Sequence, residues 1–511
     1  MESKKVYKIR TAQFLLLLGI TFLGAILRIW NIEREGLRLD EAQSVWQASH
    51  TLEYIHYYMS KNVHLPLHNS LLHFWMNMFG SGERNIRILS AIPGILTIPS
   101  MYFLANEILN KKGALFAAFV VAISPFYIWY SREIRMYTLL ALTSTLSYFF
   151  YIKILKYNRF QYYLGYLIIN IIGIYTHYFF LFVLLIQGMF FLLSWKVNFN
   201  ENKIVNKKRQ LVYFNLAAAV LFISYIPWIK TLIFSSNGIA KFGPALDIPT
   251  PFNIILTFFE FTFGYQPVNY TSMLLSLWPL LILSGFLFLE KRRNPFSPFL
   301  YLAILGILFP LIIVYIISVT AKPMYLTRYL TPMTPMYLIL ITWFLLEIKG
   351  KLKVVIIILF LFTTLTLLYN QFTNPDNPER EDYKSAVEYL NSNTDYRDAI
   401  VIAPPFVIYP FQYYYDGKST TYTMPIWNKK KGGIPELTND SMVRDSEKIK
   451  EGHKRIFLLL ATNLENTTEV KNYYDMHYTK LQKIKFSEHL WIHVYQAEYL
   501  YSRVKSMADN K

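Results

Sequence analysis

Two carboxylates stand side by side at Asp40 and Glu41, ten residues beyond a long apolar run. Neighbouring acids repel, so at least one takes a raised proton affinity unless a cation or donor compensates it. That property suits a general base, or half of a metal site. The same pair would equally open an amphipathic helix over Ala42 to Met59, where the helix dipole favours acids, and spacing alone leaves both readings open. A second group is Tyr130-Ser131-Arg132-Glu133-Ile134-Arg135-Met136-Tyr137. Two arginines and a glutamate are costly at the edge of hydrocarbon and are either paired for function or snorkelling at a helix end. A third group holds Lys322 and Arg328, in Lys322-Pro323-Met324-Tyr325-Leu326-Thr327-Arg328-Tyr329. A guanidinium fork suits phosphate oxygens, and a topological anchor is the alternative. His64-Leu65-Pro66-Leu67-His68 has a spacing compatible with zinc, but further ligands would have to come from elsewhere. His177, in Tyr175-Thr176-His177-Tyr178, fits a satisfied interfacial ring. With no cysteine in 511 residues, disulfides, thiolate metal sites and thiol nucleophiles are excluded.

The elements that must position these residues are membrane helices. The chain is 54% hydrophobic and 16% charged, against about a quarter charged in soluble domains. Eleven apolar stretches approach the roughly 20 residues that cross a bilayer: 12–30, 88–109, 113–130, 137–155, 161–177, 178–195, 211–233, 271–289, 297–319, 330–348 and 353–371. The net charge of +18 lies wholly in the first 370 residues, and its lysines and arginines cluster in alternate connections, which marks those connections as cytoplasmic. That distribution argues against a nucleic-acid partner, which would need the charge on one soluble face. The first apolar run is too long for a signal peptide and reads as the first span. His64 to Gly80 reads as an interfacial helix, because Asn69, His73 and Asn77 share one face and Leu71, Leu72, Trp75, Met78 and Phe79 the other. The N-terminus is then cytoplasmic, with loops 31–87 and 234–270 and the tail outside. The fold class is an α-helical polytopic membrane protein of about 11 transmembrane helices with a small extracytoplasmic α/β domain, divided as 1–371 and 372–511. In the tail, 383–390 and 441–450 read as helices, and 399–403, 455–461 and 490–497 as strands.

The order Leu39-Asp40-Glu41-Ala42, His64-Leu65-Pro66-Leu67, Ser81-Gly82-Glu83 with Arg87 and Ser90, the Tyr130–Tyr137 segment, and Arg328-Tyr329-Leu330 with Pro332 and Pro335 resembles the polytopic glycosyltransferases of superfamily C. The nearest group is similar to the dolichyl-phosphate-mannose protein mannosyltransferases, with the lipid A aminoarabinose transferases more distant. The resemblance implies an inverting transfer of sugar from a polyprenyl-phosphate donor, in the bilayer of the plasma membrane, to an acceptor hydroxyl on protein, lipid or glycan. It implies Asp40 as the base with Glu41 as its neighbour, and His64, Arg132, Arg135 and Arg328 as phosphate or acceptor contacts. His-Leu-Pro-Leu replaces the usual His-Pro-Pro-Leu. Tyr137 occupies a position where relatives carry an aspartate, which leaves Glu133 as the substitute carboxylate. A divalent ion, magnesium or manganese, held by Asp40 and Glu133 is compatible with these residues, although no dense ligand cluster demands one. A transporter or flippase of lipid-linked glycans is the reading from another class; it requires ionisable residues at mid-bilayer and paired interrupted helices.

Overall fold

The structure is a computed structural model and describes residues 2–61, 64–199, 206–234, 246–266, 297–373, 381–429, 433–464 and 466–497. The chain divides into two compact units, Met1–Ile32 with Gln47–Asn374, and Glu33–Trp46 with Pro375–Lys511. The acidic pair therefore belongs with the tail and apart from the rest of the 31–87 loop.

Before residue 374 the helices are α1 (Glu2–Ile29), α2 (Leu39–Ala48), α3 (Leu52–Ser60), α4 (Leu67–Phe79), α5 (Glu83–Ile108), α6 (Lys111–Ile123), α7 (Pro125–Ser131), α8 (Tyr137–Tyr157), α9 (Phe160–Thr176), α10 (Leu181–Leu193), α11 (Lys207–Phe234), α12 (Pro251–Phe263), α13 (Pro298–Thr320), α14 (Thr334–Glu347) and α15 (Gly350–Thr373). Among the described residues, seven helices are long and apolar enough to cross a membrane, and α6 with α7, bent by 54°, makes an eighth. The expected spans 161–177 and 178–195 fall on α9 and on the shorter apolar helix Tyr178–Leu193. The expected span 271–289 lies outside the described residues. Large apolar side chains such as Phe22, Phe222 and Phe362 are more than 60% exposed. Such a surface is costly in water and neutral in lipid. The protein is a multi-pass membrane protein. At its heart α5 packs against both α6 and α8, and small residues on these helices, among them Ala91, Ala114, Ala117, Ala118 and Ala141, are buried, as suits close approach of helix backbones.

The stretch read as interfacial is a helix of 13 residues, about 20 Å long and too short to span. Its polar face turns inward only at its start: His68 and Asn69 are buried and Asn69 Nδ2 donates to Gln47 Oε1 at 2.6 Å, whereas Asn77 is exposed and Leu72, expected on the opposite face, is buried. Leu71, Phe74, Met78 and Phe79 are exposed, the pattern of a helix resting on lipid. The expected single helix over Ala42–Met59 is two, α2 and α3, because Thr51 accepts the Tyr54 amide and starts a new helix.

The second unit adds α16 (Tyr383–Asn393), β1 (Asp398–Ala403), α17 (Ile408–Tyr414), β2 (Thr420–Thr423), α18 (Asn439–Lys450), β3 (Arg455–Ala461), α19 (Thr467–His477), β4 (Thr479–Lys485) and β5 (Leu490–Gln496). One sheet runs β2-β1-β3-β5-β4, parallel from β2 to β3 and antiparallel beyond. The central strands β1 and β3 are almost wholly buried. The buried Asp398 holds Arg455 through two nitrogens, at 2.9 and 2.6 Å.

Candidate active site

The Arg132–Tyr137 segment owes its position to a proline. Ser124 caps α7 by accepting the Tyr127 amide, and Pro125, which has no amide to give α6, opens α7 at an angle of 54° to it. Beyond α7 the chain turns tightly, with the Arg135 amide donating to Glu133 O at 2.8 Å. Ser90 of α5 pins this turn: its hydroxyl donates to Arg135 O, and its carbonyl accepts from Thr138 Oγ1.

Glu133 and Arg135 are each 6% exposed. Arg135 Nη2 lies 3.1 Å from His64 Nε2. A guanidinium only donates, so this nitrogen accepts and the His64 proton sits on Nδ1. His68, four residues on, is buried, and burial pushes its imidazole down to about 4, with the Arg135 charge acting in the same direction. The Arg135 charge also reaches His177 and Tyr137, while Arg328 and Glu133 both act on Tyr130 and Tyr137. The Tyr130 and Tyr137 rings are 4.9 Å apart, and the Tyr130 hydroxyl donates to Tyr265 at 3.0 Å. His177 packs on Tyr329, next to Arg328, at 5.2 Å. Its Nδ1 accepts the Phe179 amide, leaving Nε2 as the donor.

The first unit thus gathers Glu133, Arg135, Arg328, His64, His68, His177, Tyr130 and Tyr137. Two guanidiniums and neutral donors in a buried setting can hold a phosphate and meet the charge that grows on it as a bond to it breaks. Arg132 is directed elsewhere: Nη2 donates to Asn31 O at 2.6 Å, and the guanidinium lies 4.8 Å over the Phe372 ring. Lys322 follows the end of α13, its amide donating to Ile317 O.

In the second unit Asp40 and Glu41 occupy the first turn of α2. Glu41 is 1% exposed and its Oε2 accepts the Arg38 amide at 3.0 Å, a cap on its own helix. Asp40 is less buried, its carbonyl accepts Ser44 Oγ, and its charge acts on Tyr383 of α16. The Leu37 amide donates to Tyr414 OH at 2.6 Å, fixing the start of the helix. The helix-start reading of the pair is what these bonds show, with Asp40 the more accessible acid of the two.

Among the described residues no three His, Asp or Glu side chains group as a metal site, so the two histidines of His64–His68 gain no third ligand there. A cavity of about 440 Å³ opens among α8, α9, α10 and α11, lined by Tyr151, Tyr166, Gln187 and Phe214. None of the residues expected at the site lines it. Sequence reasoning named His68 only as a possible zinc ligand and missed Tyr265, whose spacing does not distinguish it from an ordinary interfacial aromatic.

This arrangement, polytopic helices with shorter helices between them and a C-terminal sheet domain, is an ArnT-like fold. Residues 63–229 match the family described as dolichyl-phosphate-mannose-protein mannosyltransferase. Among solved structures, ArnT from Cupriavidus metallidurans in the apo state is similar over 95% of this chain and 98% of its own, with a TM-score of 0.61 at 10% identity. The same protein bound to undecaprenyl phosphate gives 0.59 at 12% identity over the same shares. The mycobacterial arabinofuranosyltransferase AftD gives 0.50 at 11% identity, over 96% of this chain and 40% of its own. No curated protein matches the sequence.

Proposed function

We infer that the protein is an inverting glycosyltransferase that moves a sugar from a polyprenyl-phosphate donor to an acceptor hydroxyl. The observation that carries this reading is the buried Arg135 beside His64, with the Arg328 charge acting on the same tyrosine, Tyr137, in a bundle of superfamily C fold. ArnT has been crystallised with undecaprenyl phosphate, a lipid of the proposed donor class.

The acceptor oxygen attacks the anomeric carbon, and the bond from that carbon to the phosphate oxygen breaks. The bonding pair leaves with the prenyl phosphate, whose added negative charge Arg135 and Arg328 meet. A carboxylate takes the acceptor proton. We assign that role to Asp40, with Glu41 orienting it, on the resemblance of the Leu39–Ala42 motif. Glu133, whose charge acts on the same tyrosines as that of Arg328, is the second carboxylate of the proposed site. Direct displacement inverts the anomeric centre, in contrast with the double displacement of retaining enzymes. The prenyl tail enters from the bilayer without leaving hydrocarbon, avoiding a cost of about 0.8 kcal/mol per methylene.

The alternating lysine and arginine clusters support a cytoplasmic N-terminus, with the catalytic face and the C-terminal domain outside the plasma membrane. The transporter reading required paired interrupted helices; among the described residues there is one broken span, α6 with α7.

To test the function, the purified protein is reconstituted in nanodiscs with a lipid extract of its host membranes. Mass spectrometry should record loss of the prenyl-phosphate sugar and gain of the free prenyl phosphate. An unchanged lipid pool, or consumption of a nucleotide sugar instead, would contradict it.

A further inference from the structure

Arg28, near the end of α1, is fully buried among apolar helices, and all its recorded hydrogen bonds end on neutral atoms. Nη2 donates to Val121 O at 2.9 Å and Nη1 to Ala122 O at 3.0 Å. Nη1 also reaches Gly24 O at 2.9 Å, and Nε reaches Ser131 Oγ at 3.1 Å. In an unbroken helix Val121 O would take the amide of residue 125, but residue 125 is proline. Ala122 O would take the Phe126 amide, which the bend carries away. Two carbonyls are thus left over inside a bilayer, where each unsatisfied group costs several kcal/mol, and Arg28 supplies both missing donors. Its Nε bond to Ser131, whose own hydroxyl donates to Tyr127 O, ties the same guanidinium to the last residue of α7, one position before Arg132.

The surroundings are shaped for this group. A Cβ on Gly24 would lie 2.2 Å from Ile98 Cδ1 and 3.1 Å from Arg28 Nη1, and one on Gly94 would lie 2.1 Å from Ser131 Oγ. Only glycine at both positions leaves room for the guanidinium and the Ser131 hydroxyl. A buried cation with no carboxylate among its bonded partners is expensive, and an apolar residue at 28 with an unbroken α6–α7 would avoid that expense. The broken span instead delivers the chain into the Glu133–Arg135 turn at an angle that a straight helix does not give.

We propose that Arg28 is a positioning residue: by standing in for the amide that Pro125 lacks, it fixes the bend between α6 and α7 and so aims Arg135 at the donor phosphate. This rests on the reading of Arg135 as a phosphate ligand, and the test separates the two. Farnesyl phosphate is titrated against the full chain in nanodiscs, alongside thermal melting. Arg28→Lys, which reaches at most part of the acceptor set, should insert and melt cooperatively while its Kd rises at least tenfold. Leu104→Ala, a buried loss in the other half of α5, should lower the melting temperature at least as much and leave Kd within twofold. Pro125→Ala combined with Arg28→Met restores the amide for Val121 O. It should recover most of the melting temperature lost by Arg28→Met alone and still bind weakly, because the bend has gone. Wild-type affinity in Arg28→Lys or in the double variant overturns the proposal. Unchanged affinity in Arg135→Gln would remove the phosphate reading itself, and the proposal with it.

Discussion

The first unit buries three guanidiniums, and two of them, those of Arg28 and Arg135, have neighbours that differ in kind. Around Arg28 the acceptors are three backbone carbonyls and a serine hydroxyl; Arg135 bonds the His64 imidazole, and its charge acts on His68, His177 and Tyr137. Carbonyls cannot titrate or leave, so the first site is a clamp. An imidazole can exchange one donor for another, so the second can open its bond to a ligand. Burial alone does not separate the two arginines, since both fall below a tenth exposed. The chemistry of the partners does.

If that contrast holds, the largest loss should come from the second site. Arg135→Gln should reduce sugar transfer by about 100- to 1,000-fold, the scale of losing one donor to a developing charge, with the melting temperature little changed. A parallel collapse of folding would make Arg135 a second clamp. Arg328→Ala should raise the KM for the prenyl-linked sugar by about tenfold, near 1.4 kcal/mol, and an unchanged KM would remove it from the donor's surroundings.

His68 sharpens the contrast through pH. Its folded value, about 4, lies below the ordinary 6.5, so between those values the unfolded chain binds a proton that the folded one refuses. Stability therefore falls as pH drops from 6.5 towards 4, by about 3 kcal/mol at most. Thermal melts of His68→Asn across that window should be flatter than wild type; parallel curves would mean that the ring is not buried beside Arg135. The smallest catalytic effect belongs to Arg132. Arg132→Ala should lower stability by about 1 kcal/mol while kcat and KM stay within about twofold, and a deep loss of turnover would return it to the phosphate.

Much of the architecture could be read from the sequence because lipid imposes lengths. Runs such as 137–155 and 297–319 are apolar over the distance a bilayer requires, and their helices follow. The amphipathic helix α4 was also visible, since two asparagines and a histidine recur at helical spacing, but the inward turn of Asn69 was not. The break between α2 and α3 was hidden because the apolar period continues across Ser49–Thr51. β4 escaped because Lys480, Lys483 and Lys485 suit an exposed sheet edge and erase the alternation that identifies a strand.

At the site, the Glu133–Arg135 segment was legible as a group, but Arg132 and Arg135 are three residues apart in one motif, and only the turn at Glu133 sends them to different partners. Arg28 left no trace of its role. Its acceptors are mostly main-chain carbonyls, which no side-chain pattern records, and only Pro125 hinted at the break.

In the proposed mechanism a sugar passes from prenyl phosphate to a hydroxyl whose proton Asp40 accepts. Its most direct test is single-turnover transfer by Asp40→Asn in nanodiscs loaded with host lipid-linked sugars, with donor binding measured in parallel. The account predicts that the variant binds donor as wild type does and transfers no sugar. Transfer at the wild-type rate would contradict it.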